Sequence, residues 1–191
     1  MTLSPRFEQA LAYAAMAHVG QTRKSTAIPY VSHLLAVAGL VLEYGGDEDE
    51  AIGGLLHDAV EDAGGQTRLQ DIQRRFGERV AEIVLGCTDT DIEPKPPWRA
   101  RKETYLAKLP QVSASSRLVS ACDKLHNCRC IVADLRQVGD AVWNRFTGGR
   151  DGTLWYYAAL LAEYQRLNVH RPLVEELART IRTMHDLAAA S

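Results

Sequence analysis

Apolar residues recur along this chain at three- and four-residue spacing almost everywhere, and no stretch sustains the period-two alternation of β-branched residues that a half-buried strand requires. Such a pattern predicts an all-α fold, helices joined by short turns. Caps and glycines divide it. Ser4-Pro5 opens a helix running to about His18 and stopped at Gly20, followed by the polar loop GQTRKSTAIP. A second helix is expected from about Tyr30 to Tyr44, ending at Gly45-Gly46. Asp47 caps a third that reaches about Asp62 before Gly64-Gly65. Shorter helices follow over about Thr67 to Phe76 and Glu78 to Thr88, separated by Gly77. The stretch DTDIEPKPPW, residues 89–98, holds three prolines and reads as a loop, after which helix resumes from Arg99 to about Leu109. Ser113 or Ser115 caps a long helix through about Val138, and two more are expected over about 151–168 and 171–189. The economical organisation is a single domain over 1–191, with a core of about 4–168 and a C-terminal helix over about 171–189.

A chain of 191 residues can bury most of its apolar surface without staples. Its 46% hydrophobic and 24% charged residues and net charge of −2 fit an ordinary globule, and argue against a nucleic-acid or membrane partner. The N-terminal residues place Arg6 and Glu8 inside an amphipathic pattern and offer no leader, so a cytoplasmic location is expected. Cys87, Cys122, Cys128 and Cys130 form no paired zinc knuckle and are expected to be small buried hydrophobes. Nothing in the sequence reports oligomeric state.

The chemistry concentrates in HDAVED, residues 57–62, where four ionisable groups crowd the end of an apolar helix. Adjacent helical residues point about 100° apart, so His57 and Asp58 converge on one point only if it lies between their faces, inside the bundle. Glu61 and Asp62 lie one turn further on. Two other apolar helices carry a polar intruder: His33 in PYVSHLLAVAGLV and Asp123 in LVSACDKLHNCR. Buried charges are expensive unless paired or metal-bound. Two imidazoles and two carboxylates make a mixed N/O set suited to Mn²⁺, Fe²⁺ or Zn²⁺, and bundle cores are habitual places for such sites. The bland alternative is a pair of satisfied core histidines with an Asp123–Arg129 ion pair.

The ordered set His33, His57-Asp58 and Asp123 resembles the H…HD…D signature of HD-domain phosphohydrolases. AHVGQTRKSTAIPYVSHLLAVA, LLHDAVED, FGERVAEIVLGCTDT and ACDKLHNCR resemble successive hydrolase motifs of the RelA/SpoT-homologue family, spanning most of residues 10–135. With no room for a synthetase region, the expectation is a stand-alone small alarmone hydrolase. The resemblance implies a helical HD fold, one Mn²⁺ held by His33, His57, Asp58 and Asp123, and water attack on the 3′-pyrophosphate of a hyperphosphorylated guanosine or adenosine nucleotide. Glu61 and Asp62 would orient and deprotonate that water. An HD-type 5′-nucleotidase and a non-catalytic nucleotide-binding module are the competing readings.

The resemblance also suggests substrate contacts. Arg23 and Lys24 match a basic pair before the Pro-Tyr, the first meeting the base. Asn127 matches a residue near the ribose or 3′-phosphates. Tyr157 matches a tyrosine packed near the nucleotide, with Tyr156 left as an alternative. The segment PKPPWRARKETY departs from the better-known long members of the family, and its Lys95, Arg99, Arg101 and Lys102 put four cations in one short stretch of a net-acidic chain. Arg101 and Lys102 would capture the 5′-phosphates if the segment faces the cleft, and form a solvated face if it does not.

Overall fold

The computed structural model describes residues 2–62, 64–90 and 94–190, and among these it contains ten α-helices, one 3-10 segment and no strand. The helices are α1 Pro5–Ala17, α2 Val31–Glu43, α3 Glu48–Leu56, α4 Ala59–Asp62, α5 Gly65–Phe76, α6 Glu78–Cys87, α7 Trp98–Lys108, α8 Ala114–Val138, α9 Gly149–Arg166 and α10 Arg171–Ala190. The 3-10 segment, Gly139–Arg145, joins α8 to α9. Part of the expected loop over 89–98, residues 91–93, lies outside the described residues.

The predicted caps operate. Ser4 accepts from the Arg6 amide, Ser113 from the Ser116 amide, and Asp47 forms a reciprocal capping box with Glu50. Each cap supplies a partner for amides that the helix itself leaves unpaired. Asp47 also starts α3 in a register that sends Ile52, Leu55 and Leu56 into the core.

The expected third helix is interrupted. Helix α3 ends at Leu56, His57 and Asp58 form a turn, and α4 resumes for four residues to Asp62. A continuous helix would hold the two side chains about 100° apart. At this turn His57 Nε2 and Asp58 Oδ2 stand 3.0 Å from each other.

Two apolar clusters share the helices. One gathers α1, α2, α3, α5 and α6 around Leu34, Ile52, Leu55, Ile72 and Phe76. The other runs through α8, α9 and α10 around Leu125, Leu160, Leu173 and Leu177. Helices α2, α3 and α8 pack on one another where the clusters meet. The approach of α3 to α2 and α6 depends on Gly53 and Gly54. A Cβ on Gly53 would come within 2.5 Å of Ile83 Cγ2, and one on Gly54 within 3.2 Å of the Ala38 backbone. Larger residues would push α3, and His57 at its end, away from α6 at position 53 and away from α2 at position 54.

The four cysteines are free thiols, with Cys122 and Cys128 buried. Burial pushes the Cys128 thiol up to about 12 and the Cys122 thiol higher still, so neither is a ready thiolate at neutral pH. No described helix is long and apolar enough to cross a membrane.

Candidate metal and catalytic centre

Three helices deliver the four expected donors to one place. His33 lies in the first turn of α2, His57 and Asp58 at the α3–α4 turn, and Asp123 near the middle of α8. Both imidazoles and Asp123 are buried. His33 Nε2 lies 3.3 Å from His57 Nε2, 3.6 Å from Asp58 Oδ2 and 3.2 Å from Asp123 Oδ1. His57 Nε2 lies 3.0 Å from Asp58 Oδ2 and 3.6 Å from Asp123 Oδ1. Donors placed about 2.0–2.2 Å from one divalent ion, at tetrahedral or octahedral angles, have neighbours at about 3 Å or slightly more. His33, His57 and Asp58 offer atoms mutually within 4.8 Å. These three donors fit a divalent cation, and Asp123 Oδ1 approaches both imidazoles from α8 without joining that mutually close group.

The surrounding groups orient these donors. His57 Nδ1 sits 2.8 Å from the Gly54 carbonyl, which can only accept, so the proton is on Nδ1 and Nε2 is free to ligate. His33 Nδ1 sits 2.8 Å from His126 Nδ1. The Tyr30 hydroxyl donates to Asp58 Oδ2 at 2.5 Å. Asp123 receives Lys124 on Oδ2 at 2.6 Å and the Asn127 amide on Oδ1 at 2.5 Å. The expected alternative pairing of Asp123 with Arg129 does not form: Arg129 pairs with Glu176.

The charges are strongly coupled. Burial opposes ionisation of Asp58 most strongly, yet the His57 charge and the hydrogen bonds from His33 and His57 together outweigh it and hold the carboxyl well below its usual range. Burial likewise opposes ionisation of Asp123 and is outweighed by Lys124 and the two imidazoles. Burial opposes charge on His57, but the Asp58 and Asp123 carboxylates raise its pKa well above the ordinary value. The same two carboxylates that raise His57 would attract a divalent cation.

Glu61 and Asp62 follow on α4, each held by a partner. Glu61 accepts from Lys95 at 3.0 Å and from the Asp89 amide at 3.3 Å. Asp62 accepts from the Gln21 side-chain amide at 2.9 Å, and the Gln21 oxygen faces His18 Nδ1 at 2.7 Å.

The expected substrate residues fall into two groups. Arg23 reaches the centre, donating to Asn127 Oδ1 at 2.7 Å with its guanidinium 5.8 Å from the Tyr30 ring. Lys24, beside it, is exposed. Arg101 and Lys102 are neither free in a cleft nor a solvated face. Both pair with Asp89, Lys102 at 3.0 Å, and all three side chains are largely buried. Arg99 points outward, pairing with Glu103 and lying 3.2 Å over the Trp155 ring. Tyr157 is packed in the core, whereas the buried Tyr156 hydroxyl has no partner among the described residues and its ring lies 5.0 Å from Lys102 Nζ. Tyr156 is thus the tyrosine turned toward the cationic segment.

Sequence reasoning passed over His126, Tyr30 and Gln21 as functional positions. His126 carried a usable signal, because it lies three residues after Asp123 and so shares its helix face.

The HD domain family matches residues 10–154 of this sequence. The chain belongs to the HD-domain family. This HD protein is 35% identical over 139 residues to the guanosine-3′,5′-bis(diphosphate) 3′-pyrophosphohydrolase MESH1 of Xenopus tropicalis, covering 71% of this chain and 73% of the relative. It is 33% identical over 129 residues to the bifunctional (p)ppGpp synthase/hydrolase SpoT of Escherichia coli K12, covering 66% of this chain and 18% of that longer relative. Its fold is similar to the solved structure of a metazoan SpoT orthologue described as hydrolysing ppGpp, with a TM-score of 0.79 and 26% identity over 95% of this chain and 97% of that one.

Proposed function

We propose that this HD protein is a hydrolase that removes the 3′-pyrophosphate from guanosine 3′,5′-bispyrophosphate or its adenosine counterpart, leaving the 5′-nucleotide and pyrophosphate. The observation that carries this reading is the convergence of His33, His57, Asp58 and Asp123 within 3.0–3.6 Å contacts, followed one turn later by the Glu61-Asp62 pair. The named activities of the MESH1 and SpoT relatives support it.

The four donors would hold one divalent ion, for which we propose Mn²⁺; their N₂O₂ chemistry also suits Fe²⁺ or Zn²⁺. When bound, such an ion supplies a nucleophilic water at neutral pH and stabilises charge on the phosphoryl oxygens. Glu61 and Asp62 orient that water and take its proton. Their second partners, Lys95 and Gln21, keep the carboxylates in place. Arg23 presents its planar cation to the base, with Lys24 beside it, and Asn127 faces the ribose and 3′-phosphates. Tyr156 replaces Tyr157 as the tyrosine beside the nucleotide, while Arg101 and Lys102 set the potential around the 5′-phosphates from their pairing with Asp89. The partner is a small hyperphosphorylated nucleotide, the setting is the cytoplasm, and the working unit is one HD domain over 1–191 with its core at about 4–168.

The test is to incubate the Mn²⁺-loaded protein with 3′-pyrophosphorylated guanosine and adenosine nucleotides alongside ordinary mono- and diphosphates, and to identify the products. Pyrophosphate released from the 3′-pyrophosphorylated compounds alone is expected. Orthophosphate released from simple 5′-nucleotides would replace this reading with a phosphomonoesterase.

A further inference from the structure

The two histidines of the centre are oriented by different means. His57 gives its Nδ1 proton to a backbone carbonyl, whose role is fixed. Among the described residues, His33 has no carbonyl or carboxylate at that position. Its Nδ1 meets another imidazole nitrogen, His126 Nδ1, at 2.8 Å. Two ring nitrogens at this separation share one proton, so one must donate and the other accept.

The geometry on the far side of His33 decides between them. Its Nε2 faces Asp123 Oδ1 at 3.2 Å and His57 Nε2 at 3.3 Å, the position where an ion would be held. A proton on Nε2 would occupy that position, so His33 ligates only with its proton on Nδ1. His126 must then accept on Nδ1 and carry its own proton on Nε2. The nearby Cys130 sulfur, 3.8 Å from His126 Nε2, is a weak acceptor on that side.

Helical spacing makes this arrangement economical. Asp123, His126 and Asn127 occupy positions i, i+3 and i+4 of α8 and face α2 and the 20–29 loop together. One turn thus supplies a ligand, an acceptor for the ligand of another helix, and the acceptor for Arg23. The His33 and His126 rings are packed with centroids 4.9 Å apart, so the contact limits ring rotation as well as proton position.

We infer that His126 is a positioning residue that fixes His33 in its metal-binding tautomer and orientation through the Nδ1–Nδ1 hydrogen bond. The inference rests on the proposed divalent-metal centre and adds a residue to it. Outer partners of ligating histidines typically change metal affinity by about 10–100-fold when removed.

The experiment compares wild type with His126→Leu, which removes the acceptor at similar bulk, and His126→Asn, whose side-chain oxygen can stand where Nδ1 was. Mn²⁺ dissociation constants are read from the electron paramagnetic resonance of free Mn²⁺, with thermal melts of the metal-free proteins as the folding control. His126→Leu should weaken Mn²⁺ binding about 10–100-fold, and His126→Asn should restore most of the loss. Equal affinity of His126→Leu and wild type, or an equal loss in both variants, would overturn the inference. An independent reading comes from ¹⁵N-histidine spectra of the Zn²⁺-loaded wild type, which must show a protonated His33 Nδ1 and an unprotonated His126 Nδ1. The opposite tautomers would also overturn it. A wild type that binds no Mn²⁺ would instead remove the metal centre on which the inference rests.

Discussion

The pairing of Arg101 and Lys102 with Asp89 leads to a stability prediction that a surface charge run would not support. Asp89 is 9% exposed, its cationic partners 16% and 18%, and its Oδ1 has no partner among the described residues. Replacing both cations, as Arg101→Met with Lys102→Met, leaves a buried carboxylate uncompensated. Breaking a buried pair from one side costs about 3–5 kcal/mol. For a chain of this length that is a fall in Tm of roughly 6–20 °C, taking about 2–4 °C per kcal/mol. Adding Asp89→Asn removes the stranded charge and should recover much of the loss. The internal control is Arg99–Glu103, whose side chains are 53% and 56% exposed. Breaking that pair should cost no more than about 1 kcal/mol. Urea and thermal unfolding of the metal-free proteins compare wild type with these three variants. Wild-type stability in the double variant, or no recovery in the triple, would refute the account of Asp89 as an internal anchor.

His57→Ala should lose bound metal and turnover together, checked by metal analysis after gel filtration. Glu61→Gln should retain stoichiometric metal while kcat falls about 10²–10⁴-fold, as for loss of a general base. In the metal-free protein the raised His57 pKa contributes stability that is fully present below the unfolded value of 6.5 and is lost as pH rises through the folded value. The depressed Asp58 and Asp123 contribute stability present above the unfolded value of 3.8 and lost as pH falls through their folded values. Metal-free Tm should therefore decline as pH climbs above about 6.5, while Mn²⁺ affinity rises by up to about tenfold per pH unit because uptake expels the His57 proton. Calorimetric titrations in buffers of different ionisation enthalpy measure that proton, and an unchanged binding constant between neutral and alkaline pH would exclude it.

The helical bundle was legible because amphipathic spacing, caps and glycines agreed over nearly the whole chain. The donors stood out for a related reason: His33, His57 and Asp123 are polar residues at positions whose neighbours are core residues. The break at His57–Asp58 was not legible, since its flanking residues continue the helical pattern and the turn is stabilised by contacts from α2 and α8. Nor was the anchoring of Arg101 and Lys102, because Asp89 lies 12 and 13 residues away across a proline-rich segment and no spacing rule links them. Tyr156 and Tyr157 are adjacent, aromatic and both buried, so only packing distinguishes the one beside Lys102 from the one in the core. Gln21 sits in a loop without periodicity, and its contact with Asp62 spans 41 residues.

The most direct test of the central claim is a single turnover of Mn²⁺-loaded protein on guanosine 3′,5′-bispyrophosphate in ¹⁸O-labelled water, with mass spectrometry of every product. Attack by an activated water on the 3′-linked phosphorus predicts one ¹⁸O in pyrophosphate and none in the guanosine 5′-diphosphate, with no product from the His57→Ala protein. Label in orthophosphate or in the nucleotide, or equal turnover by that variant, would contradict a metal-dependent 3′-pyrophosphohydrolase built on these residues.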